Sequence, residues 1–208
     1  LNPMKLVDAD GNDVIVTIDG NVITVTVNIY YSSNENSPGN FSDPENLAVL
    51  NEYINEAKND WQAAADQYNN EGHEYQVNIN IQLISKIKLY KKNKIPKGEN
   101  IAYYDDNIGD APEVINGNRL YIVTLKWQLE NGDYQILKTP PRTGTHEIGH
   151  IMGYQHIGEE NSVEQLESKN IMGYNDKRET PTSDDISNLV NRIKKNKKKQ
   201  ILRGDLCK

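Results

Sequence analysis

Three of the chain's four histidines stand within the eleven-residue run HEIGHIMGYQH, His146 to His156, beside one carboxylate, Glu147. Imidazoles gathered this closely are a means of holding a divalent ion such as zinc. His146 and His150 are four residues apart, so on a helix both rings project from one face and can reach a single ion. Glu147 is turned about 100 degrees from its neighbour around that helix. Its carboxylate therefore faces a water beside the ion instead of the ion itself, which is where a general base is needed. Gly153 has no β-carbon and takes a left-handed conformation at little cost; it ends the helix and turns the chain so that His156 supplies a third ligand. Three protein ligands leave one position open for water.

The pattern His-Glu-two residues-His-two residues-Gly-two residues-His resembles the zinc-binding consensus of the metzincin clan of metallopeptidases, and every fixed position is filled. A structural zinc site or a coincidental surface face would account for two helical histidines, but not for the rest of the pattern. Metzincins also carry a methionine-containing turn beneath the metal. Sixteen residues after His156, the segment Asn170 to Tyr174 puts Met172 where that turn falls. Methionine also fills ordinary cores; only its place relative to His156 marks it here. In the astacin-like and serralysin-like branches a tyrosine two residues beyond this methionine approaches the zinc, which implies such a role for Tyr174, against the plain alternative of one of twelve tyrosines bridging core and surface. The residue after the third histidine often marks the branch. Here it is Ile157, which matches none of the common ones.

The expected chemistry is hydrolysis of protein peptide bonds. Zinc lowers the pKa of a bound water to about 7 and polarises the scissile carbonyl, while Glu147 takes the water's proton and passes it to the leaving amine. No acyl-enzyme is needed, and Cys207, the only cysteine, lies near the C-terminus with no histidine nearby. His73 has no companion histidine and reads as a satisfied loop residue. A metal-holding binding module that lacks turnover is the second class of function; the presence of Glu147 argues for the enzyme.

The elements that must position these groups follow from periodicity. Val14–Ile18 and Val22–Tyr31 alternate as strands joined at Asp19-Gly20. Ser42 or Asp43 caps a helix with Pro44 in its first turn, and Leu47, Leu50, Ile54, Ala57, Trp61, Ala64 and Tyr68 recur at helical spacing as a core face. From Gln76 to Leu83 apolar and amide residues alternate, so one face of that strand is wet. Residues 91–118 read as a loop. Leu120–Leu129 and Tyr134–Leu137 read as strands linked by Asn131-Gly132, the zinc helix follows Pro140-Pro141, and a final amphipathic helix starts near Thr182 with Ile186, Leu189, Val190 and Ile193 inward. This order resembles the metzincin catalytic domain and implies an α+β fold: a twisted mixed sheet with a backing helix, an active-site helix, and a small C-terminal subdomain with the methionine turn and the final helix. Residues 14–208 would form the single catalytic domain, with 14–157 above the cleft and 158–208 below. The resemblance also implies a substrate lying extended along an edge strand.

Residues 1–13, LNPMKLVDADGND, resemble the end of an Rhs-type repeat core that precedes a toxin domain: Pro3, Asp8 and Gly11 match, and Ala9 replaces the usual proline. They read as a junction, the alternative being an acidic turn before the first strand. The chain shows no signal peptide and does not begin with methionine, so the expectation is a piece of a longer protein delivered outside the producing cell, with its export signal upstream and an immunity or inhibitor protein as partner. Calcium ligation by Asp8, Asp10 and Asn12, or by Asp105, Asp106 and Asp110, is an alternative reading of those acidic stretches. Residues 192–208 hold eight Lys or Arg and one Asp, so their +7 leaves −14 on the rest of a chain of net charge −7. That balance argues against nucleic acid as a partner. Lys194 to Lys199 read as a solvated helix end, with a docking tail for an anionic partner as the sharper alternative. Arg203-Gly204-Asp205 carries no weight, and no apolar run is long enough to span a membrane.

Overall fold

The computed structural model describes residues 4–7, 14–37, 40–86, 100–105, 113–115, 119–123, 126–128, 134–136, 142–156, 170–172 and 179–204. Nine strands and three helices occur among them: β1 (Met4–Val7), β2 (Val14–Asp19), β3 (Val22–Tyr31), α1 (Pro44–Asn70), β4 (Gln76–Ser85), β5 (Asn100–Asp105), β6 (Glu113–Ile115), β7 (Arg119–Val123), β8 (Lys126–Gln128), β9 (Tyr134–Ile136), α2 (Thr143–Ile151) and α3 (Ser183–Gly204). The fold class is α+β, with a mixed seven-stranded sheet and a separate β8-β9 hairpin.

β3 is the centre of the sheet. β4 runs parallel along its whole length, Val22 opposite Gln76 to Tyr31 opposite Ser85. The other edge must then be shared end to end: β2 pairs antiparallel with Val22 to Val27, and β5 pairs parallel with Ile29 and Tyr30. β7 lies parallel to β5, and β6 is the antiparallel strand outside β7. The β2-β3 hairpin turns through Gly20-Asn21, since Asp19 already pairs with Val22. Gly20 has φ +58. A left-handed first turn residue suits the two-residue hairpins that match strand twist, which moves the expected turn on by one residue.

Alternation decides the faces as expected. Ile23, Val25, Val27 and Ile29 of β3 and Val77, Ile79 and Ile81 of β4 are buried, whereas Thr24, Thr26 and Asn28 are half-buried and Asn78 and Gln82 exposed. The buried face meets one stripe of α1, formed by Leu50, Tyr53, Ile54, Ala57, Trp61, Ala64, Ala65 and Tyr68. Each large aliphatic side chain so buried contributes about 1.5–3 kcal/mol, so this layer contact far outweighs any local propensity. α1 starts where expected: Asp43 is the N-cap and its carboxylate accepts the Glu45 N–H at 2.8 Å, with Pro44 in the first turn. α3 adds Ile186, Leu189, Val190 and Ile193 to the same core. At its start the Asp185 carboxylate accepts from the Thr182 N–H at 2.8 Å and from the Thr182 hydroxyl at 3.1 Å.

Two further expectations fail. The stretch read as a loop contains β5 and β6, and Asn100, Ile101, Ala102 and Tyr103 of β5 are all buried. A strand buried on both faces has no alternation to reveal it. The strand expected over Leu120–Leu129 is two: β7 in the main sheet, and β8 paired with β9 in the small one. Met4–Val7, inside the stretch read as a junction, pairs with β2 as β1. Pro3, Asp8, Ala9, Asp10, Gly11, Asn12, Asp106, Asp110, Asn131-Gly132, Pro140-Pro141, Ile157 and Cys207 lie outside the described residues. Among the described residues no helix is long and apolar enough to cross a membrane.

Candidate metal centre

α2, the helix that carries HEIGH, is short and almost wholly buried, His150 alone of its residues being part-exposed. It packs on α1 at a distance set by glycine. A β-carbon on Gly144 would stand 2.8 Å from both Cα and C of Tyr53, closer still to that residue's carbonyl oxygen, so only a bare backbone fits. The N-cap, Arg142, has φ +60 and offers no side-chain cap. The role passes to α1 instead: the Glu56 carboxylate accepts the Arg142 N–H at 2.9 Å and the Gly144 N–H, and Asp60 accepts the Thr145 hydroxyl at 2.9 Å with the Arg142 guanidinium 3.7 Å away. Two carboxylates at the positive end of a helix are well placed electrostatically. Burial is the main reason the Glu56 carboxyl is pushed above the usual range, with the Asp60 charge adding to it and the two backbone N–H groups opposing. Trp61, buried beneath α2, donates its indole N–H to the Thr145 carbonyl at 3.0 Å.

The C-terminal end of α2 turns as the sequence leads one to expect. Gly153 has φ +86, its N–H reaches the His150 carbonyl at 2.9 Å, and the Tyr154 N–H reaches the Gly149 carbonyl at 3.0 Å. This paired closure is a Schellman motif, which a residue with a β-carbon would adopt only under strain. The turn brings His156 back to the helix.

The three imidazoles converge. Nε2 of His150 lies 3.1 Å from Nε2 of His146 and 2.9 Å from Nε2 of His156, and the third separation is 3.2 Å. Hydrogen bonds fix which nitrogens carry protons. Nδ1 of His146 lies 2.7 Å from the Ile171 carbonyl, and Nδ1 of His150 lies 2.9 Å from the Tyr154 carbonyl. A carbonyl oxygen only accepts, so both Nδ1 atoms are the donors and both Nε2 atoms of the neutral rings present lone pairs. Lone pairs facing each other at 3.1 Å repel, unless a cation sits among them. Tetrahedral zinc with Zn–N of about 2.0–2.1 Å would separate its nitrogens by about 3.3 Å, close to what the side chains offer. The three residues together can hold a metal ion. The donor set suits zinc and its borderline neighbours, and carbonyl acceptors behind two ligands are the usual outer support of such sites.

Glu147 sits beside this cluster: its Oε1 is 3.9 Å from Nε2 of His146, too far for a direct hydrogen bond, and its side chain is 7% exposed. Met172 is buried under α2, where its Sδ would stand 2.6 Å from a β-carbon on Gly149, with Trp61 at 3.4 Å on the same spot. The Asn170 side chain accepts the Met172 N–H at 2.9 Å, and the neighbouring Ile171 carbonyl is the His146 acceptor. The turn thus packs under α2 and orients the His146 ring. Tyr174 lies outside the described residues. His73 is remote from the site, stacked on Tyr68 with ring centres 4.1 Å apart and 3.0 Å from a Glu71 oxygen. Lys194 pairs with Glu74 at 3.0 Å.

The sequence reading missed Glu56, Asp60, Gly144, Gly149 and Tyr154 as neighbours of this centre. A signal existed for the glycines. Two of them in a nine-residue helix cost about 1 kcal/mol each against alanine, which is tolerated where packing demands it. Nothing local marks the acids. Comparison with known protein families, curated proteins and solved structures finds no match for this chain.

Proposed function

We propose that the chain is a zinc-dependent endopeptidase of metzincin-like design, acting on protein substrates. The observation that carries this reading is the convergence of three histidine Nε2 atoms within 3.2 Å of one another beside the Glu147 carboxylate. Zinc bound by the three imidazoles supplies a Lewis acid toward water and toward an amide carbonyl. Glu147 Oε1 is the proton acceptor for the attacking water, and from the same oxygen the proton goes to the leaving amine nitrogen. Its position next to His146 in sequence, and one side-chain step away from the ligand face, keeps it near the reacting atoms without occupying a ligand place. An extended peptide fits β6: this strand pairs with β7 on one side, has no partner on the other among the described residues, and lies beside α2. Main-chain hydrogen bonds along such an edge bind a substrate with little regard to its sequence.

The resemblance of residues 1–13 to an Rhs-type core end supports a role as toxic cargo delivered outside a bacterial producer, with an immunity protein as partner. Metal analysis and cleavage of an unfolded protein mixture, for the wild type and for Glu147→Ala, test the enzymatic reading. The expected result is one bound zinc in both and loss of at least about 100-fold in cleavage rate in the variant, the scale of a general base. Zinc without cleavage by the wild type across several conditions would instead identify a metal-holding binding module.

A further inference from the structure

Behind the His150 ligand stands a second group of contacts that ordinary helix packing does not require. Arg192 of α3 donates from Nη1 to the Gly153 carbonyl at 2.6 Å and from Nη2 to the Met152 carbonyl at 3.3 Å. Its guanidinium carbon lies 4.4 Å above the centre of the Tyr154 ring. Tyr154 is fixed from three further directions: its hydroxyl donates to the Asp185 carbonyl at 2.6 Å, its ring lies 5.2 Å from that of Trp61, and its N–H closes α2. The Tyr154 carbonyl is the acceptor that orients His150, and two residues later the same segment delivers His156. Two of the three ligands therefore depend on a turn whose outward carbonyls are held by α3.

We infer that Arg192 is a positioning residue for the metal centre and that α3, remote in sequence, forms part of it. The inference rests on the metal-binding reading of the three histidines. A planar fork that spans two adjacent carbonyls and stacks on the aromatic ring of the next residue fixes both the position and the orientation of the turn, which a single donor does not. Without it, Met152 and Gly153 turn to water for partners, and the Tyr154 carbonyl is free to swing with them. His150 and His156 then lose their common aim.

The test is metal affinity of the full chain, measured with cobalt(II) and zinc(II) against a competing chelator, together with the visible absorption of the cobalt form. Arg192→Gln is expected to weaken both affinities about 10- to 100-fold, the range seen when a ligand's outer support is removed, and to shift and weaken the cobalt bands. Arg192→Lys, which keeps the charge and one donor, should recover part of the loss. Ile193→Val, which loosens the packing of the same helix at a buried position, should lower the unfolding midpoint while leaving affinity and spectrum at the wild-type values. Wild-type affinity and spectrum in Arg192→Gln would overturn the inference, as would an equal loss in Ile193→Val, which would trace the effect to general loosening. A wild type that binds neither ion would instead overturn the metal reading beneath it.

Discussion

Gly144 and Gly149 lie on a helix whose residues are judged by neighbours rather than by propensity, and the two neighbours differ in kind. A methyl on Gly144 meets the Tyr53 backbone, which belongs to the long helix α1, anchored along its buried stripe, and has no freedom to retreat. On Gly149 it meets the Met172 thioether, part of a flexible side chain, with the Trp61 ring behind it. Alanine gains about 1 kcal/mol over glycine in a helix, while overpacking costs about 1–3 kcal/mol. The overpacking wins where backbone opposes backbone. Gly144→Ala is therefore expected to destabilise the protein by up to about 2 kcal/mol net, the overpacking cost less the propensity gain. Gly149→Ala should fall closer to neutral in stability and act instead on metal affinity, because a displaced Met172 drags on the Ile171 carbonyl that holds His146. Urea midpoints and chelator competition on both variants check this. A larger stability loss at Gly149 than at Gly144 would contradict the assignment of which neighbour yields.

At the level of elements, α1 is both the backing of the sheet and the N-terminal cap of α2, through Glu56 and Asp60 one turn apart. The Glu56 carboxyl has its pKa raised above the ordinary 4.5, chiefly by burial. A carboxyl raised on folding stabilises the folded state fully below its unfolded pKa, and that contribution is lost as pH climbs through the folded value. Glutamine keeps an oxygen for the Arg142 and Gly144 N–H groups and carries no charge to desolvate. Glu56→Gln should accordingly gain stability relative to the wild type as pH rises from about 4 toward neutrality, with the two proteins compared in parallel by denaturant unfolding. A constant difference across that range would remove burial of the charge from the explanation. The same pairing explains what was legible beforehand. Faces of β2, β3, β4, α1 and α3 are written in periodicities of two and 3.6 residues, and the ligand run is local, so both could be read. β5, buried on both faces, has no period to read. Contacts between residues 84 to 86 apart, such as Trp61 to Thr145 or Glu56 to Arg142, depend on how the layers stack and leave no trace in either local sequence.

Across the whole molecule the candidate ion would be the point at which distant segments meet. Its ligands come from α2 and the turn after it, one ligand is aimed by Ile171, the helix is capped from α1, and the turn is held by α3. Binding at such a point stabilises the folded chain alone, by about 2.7 kcal/mol at a hundred times the dissociation constant, which for a chain of this size amounts to a rise of roughly 5–10 °C in Tm. Chelation should remove that rise. A sharper expectation concerns His156→Ala, because the contribution of this ring changes sign with the ion. With zinc present the variant lacks a ligand and should melt well below the wild type. With metal chelated, the wild type must hold nitrogen lone pairs against one another at 2.9 to 3.2 Å, and removing one ring relieves that repulsion. The variant should then match or exceed the wild type. Crossing of the two melting temperatures on addition of chelator identifies the triad as built around a cation. A variant that melts lower by the same amount in both conditions would show instead that His156 is there for packing.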